Sequence, residues 1–122
     1  MDPVPWPNYK NPRTERAAAE YTKRSNGKNF DTNSGYSYEA VIVMADVFER
    51  AKSTESDAVV DALKKTRYAD NLMVAGGPVT FNEIGDNPNA STAMIQILGG
   101  KPVVVWPKDA AAQKYVFPRS KR

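Results

Sequence analysis

GYSYEAVIVMADVFERAK, residues 35–52, decides how this chain is read. Apolar side chains recur at spacings of three and four through Tyr38, Val41, Ala45, Phe48 and Ala51, the period of one face of an α-helix. Val43, Met44 and Val47 broaden that stripe, so the pattern predicts a helix over residues 36–52 that is buried on more than one side. Such a helix needs a covering layer on each apolar side, and the rest of the chain must supply it or lack it.

Just downstream, Thr54 with Asp57 three residues on resembles a capping box, although Asp is the weaker form of its second member. It predicts a third helix over residues 54–65 with Val59, Val60 and Leu63 inward, and so short a link predicts a helical hairpin. Upstream, residues 28–35 are polar and aperiodic and read as a loop. Asn11 before Pro12 offers a capping side chain and a proline at the first helical position, opening a helix over residues 13–24. Ala17, Ala18, Ala19 and Tyr21 give it only a thin apolar stripe, and Ser25-Asn26-Gly27 stops it in a left-handed cap. Residues 1–11, with Pro3, Pro5 and Pro7, read as an irregular lead-in.

After Tyr68 the pattern changes. Residues 72–75 and 79–81 are short apolar runs separated by Gly76-Gly77-Pro78, and residues 82–90 (NEIGDNPNA) are dense in turn formers. Residues 92–98 and 101–106 flank Gly99-Gly100, the signal of a two-residue hairpin. Pro102 suits an edge or a strand's first residue. Residues 110–112 can add a helical turn, which leaves three segments: the lead-in 1–11, a folded part 12–107 and a tail 108–122. Three helices precede too few strands for a doubly wound sheet. The missing layer would come from another chain, another copy of this one, or a longer parent sequence.

Composition narrows the chemistry. Among 122 residues there is no Cys and no His, which removes Ser-His-Asp triads, thiol nucleophiles, imidazole or thiolate zinc sites and disulfides. The +3 net charge rests on Arg119, Lys121 and Arg122, and without them acids and bases balance. A nucleic-acid binder should carry its basic excess on a folded face, so no nucleic-acid partner is expected. The opening MDPVPWP has neither a basic nor an apolar segment of a signal peptide. The longest strongly apolar stretch, residues 40–48, falls far short of the roughly 20 residues that span a bilayer.

These motifs taken in order resemble a known family. Gly35-Tyr36-Ser37-Tyr38-Glu39-Ala40-Val41, with Ala45-Asp46-Val47-Phe48-Glu49-Arg50-Ala51 and Ser53-Thr54, resembles the C-terminal third of type I periplasmic solute-binding proteins of branched-chain amino acid ABC transporters. DAVVDALKKT (residues 57–66), GPVTFNEIGDN (residues 77–87) and GKPVVVWP (residues 100–107) are similar to the helix, strand-and-turn and closing hairpin that follow in that family, and residues 12–27 to the helix before. The resemblance covers about residues 6–118. It implies an α/β fold, a partial Rossmann-like lobe of three helices followed by β-strands and a closing hairpin. The whole fold would have two lobes closing on a solute in the cleft between them.

By the same resemblance the chain is a C-terminal portion of a periplasmic receptor for amino acids or related aliphatic or aromatic carboxylates, with a transporter permease as partner. The upstream parallel strands and most of the second lobe are missing, so no useful solute binding is expected of the isolated chain. The incomplete sheet also leaves open a self-associating protein, a homo-oligomer with no transport role.

Ligand contact is expected at Asn33, Ser34, Gly35 and Tyr36, which enter the long helix where the family faces its cleft. A helix N-terminus offers unpaired N–H groups and a favourable field for a carboxylate, although Asn33 and Ser34 could serve simply as caps. Glu83, Asp86 and Asn87 have the wrong spacing for an EF-hand and read as a turn, so neither metal nor other cofactor is expected. Glu15, Glu20, Glu39 and Glu49 are expected on exposed helix faces, with Glu49 and Lys52 close enough to pair. Trp6 and Trp106 are expected to anchor packing. No paired-carboxylate or nucleophilic catalytic site is visible.

Overall fold

A computed structural model describes residues 3–118. In chain order the elements are β1 (Pro3–Val4), α1 (Pro12–Arg24), α2 (Thr32–Ala51), α3 (Ser56–Lys64), β2 (Ala93–Leu98) and β3 (Lys101–Trp106). Three helices followed by a small sheet match the expected partial α/β lobe. The sheet runs in the order β1-β2-β3 with both pairings antiparallel. The Gly99-Gly100 hairpin is present, with Leu98 opposite Lys101 and both glycines at positive φ (57° and 78°), the conformation a two-residue turn of this kind demands. Within the lead-in, Pro3–Val4 pairs with Met94 and Ala93 and adds a third strand to the hairpin.

Helix α1 starts as its sequence dictates. Asn11 Oδ1 accepts from Arg13 N at 2.8 Å with Pro12 in the first turn, and Asn26 and Gly27 both take positive φ beyond the end. Its buried residues are Thr14 and Ala18, while Ala19 is exposed.

Helix α2 departs from expectation at both its start and its buried face. It begins at Thr32 because Asp31, not Asn33 or Ser34, is the N-cap, so residues 32–35 form its first turn instead of a loop. The buried positions are Gly35, Glu39, Val43 and Val47, one row at spacing four. Of the residues read as inward, Tyr38, Val41, Ala45 and Phe48 are exposed, Val41 to 67%, whereas Val43, Val47, Met44 and Ala51 lie in or against the core. Both rows are helical in period. The buried one contains a glycine and a glutamate and therefore does not look apolar in sequence.

Helices α2 and α3 form the expected hairpin around Val43, Val47, Ala62 and Val79, with Met44, Val59, Leu63 and Phe81 packed at the edge. Arg50 fastens it: its guanidinium pairs with Asp46 at 2.9 Å, one turn back, and donates to Ala62 O at 2.7 Å and Thr66 Oγ1 at 2.9 Å. That pair replaces the one expected between Glu49 and Lys52. Lys52 instead ends α2 in the left-handed conformation, φ 51°. The Thr54–Asp57 box does not form. Ser53 Oγ accepts from Glu55 N at 3.0 Å, and α3 begins after Glu55 without a side-chain cap.

Residues 72–75 and 79–81 carry no continuous ladder; they make isolated bridges, Pro7 to Met73, Tyr68 to Val79 and Ala75 to Ala90. They are nonetheless central to packing, since Leu72, Met73, Val74 and Val79 are all buried. A second core cluster of Val74, Ala93 and Val104, with Trp6 and Ile95 against it, joins this segment to the hairpin. Trp6 thus anchors packing, whereas Trp106 is 53% exposed and does not. The 82–90 segment is a turn held by Asn82, whose Oδ1 accepts from Ile84 N and Asp86 N. Pro107 O accepts from Ala110 N and Ala111 N, closing a turn over 107–111, and no helix forms at the expected residues 110–112.

Candidate functional site

The N-terminus of α2 and the flank of α1 enclose an open groove of about 880 Å³, lined by Ala17, Glu20, Tyr21 and Arg24 of α1, then Phe30 and Asp31, and Asn33, Ser34, Ser37 and Tyr38 of α2. Its floor is aromatic: Tyr21 and Phe30 meet edge to face with centroids 5.6 Å apart. Phe30 is buried, and its carbonyl accepts from Tyr9 Oη at 2.7 Å. Glu20 and Arg24, one helical turn apart, pair across 2.6 Å at the rim.

The four expected contact residues separate by helical geometry. Asn33 and Ser34 face the groove, joined one turn later by Ser37 and Tyr38, which sequence reasoning did not single out. Positions 33, 34, 37 and 38 share one helix face, so adding one turn to the expected residues would have found them. Gly35 points the other way: a Cβ there would lie 2.6 Å from Met73 Sδ and 3.2 Å from Pro7 Cγ. Its role is close packing. Tyr36 is 40% exposed and not part of the groove lining, and its hydroxyl pKa is raised by burial and by the charge of Glu39.

The electrostatics of this helix end are largely internal. Asp31 Oδ1 accepts from Asn33 N, Ser34 N and Ser34 Oγ at 3.1, 3.1 and 3.0 Å, and Ser34 Oγ accepts from Asp31 N at 2.7 Å, a complete capping box. These bonds, first the one from the Ser34 backbone, hold the Asp31 carboxyl below its ordinary pKa against the opposing effect of burial. The N–H groups expected to greet a ligand carboxylate are therefore already committed to a carboxylate of the chain itself. What the groove offers a solute is the Asn33 amide, the Ser37 and Tyr38 hydroxyls and an aromatic floor.

On the opposite side of α2, Glu39 corrects the expectation of a solvated charge. It is 8% exposed, and its Oε1 accepts from Leu72 N at 2.7 Å and Met73 N at 3.3 Å. Thr14 Oγ1 donates to Leu72 O at 3.0 Å, so α1 and α2 grip the same backbone segment from both directions. Beside it Arg13 bonds Asp70 at 2.9 Å and Tyr68 Oη at 2.6 Å, while Asn11 donates to Asp70 and Asn71 O, each at 2.8 Å. Arg13 above all, then Asn11, lowers the Asp70 pKa. These contacts fasten α1 and α2 to the 68–73 segment. Glu15, Glu20 and Glu49 are exposed as expected. Among the described residues no group of three or more acidic side chains is placed to hold a metal ion, and no helix is long and apolar enough to cross a membrane.

A family model described as periplasmic binding protein matches residues 1–101. The chain belongs to the periplasmic binding protein family, type I, of the branched-chain amino acid ABC transporter type. That family supports a solute-binding role and is generally non-enzymatic. No curated protein matches the sequence significantly.

Proposed function

We propose that this chain is the C-terminal portion of an extracellular solute-binding protein that delivers amino acids or related small carboxylates to an ABC transporter permease. The family match over residues 1–101 carries this reading. Residues 12–107 are its share of the fold and 108–122 a tail. In the parent protein Asn33 and Ser34 border the solute, Tyr36 stands outside the groove lining, and Gly35 lets the helix sit close enough to Pro7 and Met73 to present them. The chain performs no catalysis and works in the periplasm. Alone it binds no solute with useful affinity, because the facing lobe is absent and the N–H groups of its best helix terminus already hold Asp31.

Calorimetry of the isolated chain against amino acids and aromatic carboxylates should give no heat, while a chain carrying both complete lobes should bind one of them. Micromolar binding by the isolated chain would refute its incompetence, and an inert two-lobed protein would refute the receptor role.

A second reading is favoured by the exposed row of Tyr38, Val41, Ala45 and Phe48. In the isolated chain that row is covered by another copy, giving a homo-oligomer. Light scattering after size exclusion decides it, since a folded monomer at micromolar concentration would exclude obligate self-association.

A further inference from the structure

The basic excess of the last four residues is part of a larger asymmetry. From residue 99 onward the sequence carries Lys101, Lys108, Lys114, Arg119, Lys121 and Arg122 against Asp109 alone, while the preceding part is slightly acidic. The same region carries the most exposed aromatic side chains of the described residues: Phe117 is 84% exposed, Tyr115 67% and Trp106 53%. They are gathered on one feature. Trp106, Lys108, Lys114, Tyr115 and Phe117 line a single shallow groove beside β3.

The segment that carries them is tied to the sheet. Ala112 N donates to Val104 O at 2.9 Å, and the Gln96 amide binds the Val116 backbone twice, accepting from its N–H at 2.9 Å and donating to its carbonyl at 3.0 Å. The family-model match ends at Lys101, so Lys108, Lys114, Tyr115 and Phe117 lie beyond it.

We propose that this face docks on an anionic phospholipid surface. Lys108 and Lys114 on this face are drawn to such a surface at about fivefold in affinity per charge. Tryptophan and tyrosine favour the headgroup boundary, where an apolar ring body and a polar edge are both satisfied. Phe117 and the half-exposed Val116 supply apolar area that acyl chains can cover and a nucleic-acid phosphate backbone cannot. A second copy of the chain would set one basic face against another, so it is the poorer occupant.

The test uses the full chain with Trp6→Phe, leaving Trp106 as the fluorescent reporter, and vesicles of equal parts phosphatidylglycerol and phosphatidylcholine, or of phosphatidylcholine alone. At low ionic strength the chain should sediment with the anionic vesicles only, with Trp106 emission shifted to the blue and binding weakened by added salt. Lys108→Glu with Lys114→Glu should lower affinity at least about twentyfold, and Phe117→Ala about tenfold, with unchanged far-UV circular dichroism. Should Phe117→Ala not fold, the lysine pair and the emission shift still decide. Absence of binding to anionic vesicles overturns the proposal. So does binding without an emission shift, or tighter binding to duplex DNA than to the vesicles.

Discussion

The two long faces of α2 have the same helical period and opposite fates. On one, Gly35, Glu39, Val43 and Val47 meet α3 and the 72–79 segment, and Val47 loses all exposure. On the other, Tyr38, Val41, Ala45 and Phe48 face outward although each is apolar or aromatic. Apolar residues are thus spent on the face this chain leaves uncovered, while a carboxylate is buried on the face it covers. The covered face is specified by backbone geometry. A glycine lets Pro7 and Met73 approach, and a glutamate satisfies two backbone N–H groups that no strand pairs. The outer face is left exposed although it carries Tyr38, Val41 and Phe48.

The sharpest way to break this contrast is at its least intuitive member. Glu39→Ala should destabilise the fold by about 3 kcal/mol, because the Leu72 and Met73 N–H groups lose a buried charged acceptor. Glu49→Ala, on the same helix but exposed, should change stability by less than about 0.5 kcal/mol. Urea denaturation followed by circular dichroism measures both. If the two substitutions cost the same, Glu39 is not holding that segment.

A purely apolar pair tests the same contrast at constant chemistry. Val47→Ala should cost about 2 kcal/mol and Val41→Ala less than about 0.5 kcal/mol in the monomer. Comparable losses at dilute concentration would mean the outer row is covered after all. Gly35→Ala should reverse its usual sign. Alanine normally stabilises a helix interior by about 0.5–1 kcal/mol over glycine, but here the new methyl meets Met73 Sδ and Pro7 Cγ, giving a net loss of about 1 kcal/mol. Thermal melts show the direction, and Met73→Ala in the same chain should recover part of the loss if that contact is its cause.

Much of this arrangement was legible beforehand. The three helices, the Asn11-Pro12 start and the glycine hairpin follow from local signals, because caps, turns and periodicity act within a few residues. What escaped reading depends on distant partners. Val41 and Val47 are the same residue on the same helix, and only the position of Ala62 and Val79 decides which is buried. Glu39 looks like any surface glutamate until residues 72 and 73 arrive without strand partners. The groove was half legible: Asn33 and Ser34 border it, yet Asp31, two residues before Asn33, takes up the N–H groups at its helix end. The apolar run 72–75 gives no local sign of its pairing, and in the structure side-chain acceptors and isolated bridges stand where a ladder would.

The last test concerns the start of α2, where the covered and uncovered faces diverge. Asp31→Ala removes the cap and should cost about 1 kcal/mol at neutral pH. Its pH dependence has a definite sign. The Asp31 carboxyl titrates lower in the folded chain than in the unfolded one, chiefly through the Ser34 N–H. Its contribution is therefore present above the ordinary carboxylate range and is lost as pH falls through the folded value. Asp70, held down by Arg13 and Asn11, behaves in the same way. Stability of the parent chain should accordingly fall between neutral pH and about pH 3, and the Asp31→Ala variant should fall less over that interval. Parallel curves for the two proteins would show that Asp31 titrates normally and that the helix terminus is still free to receive a ligand carboxylate.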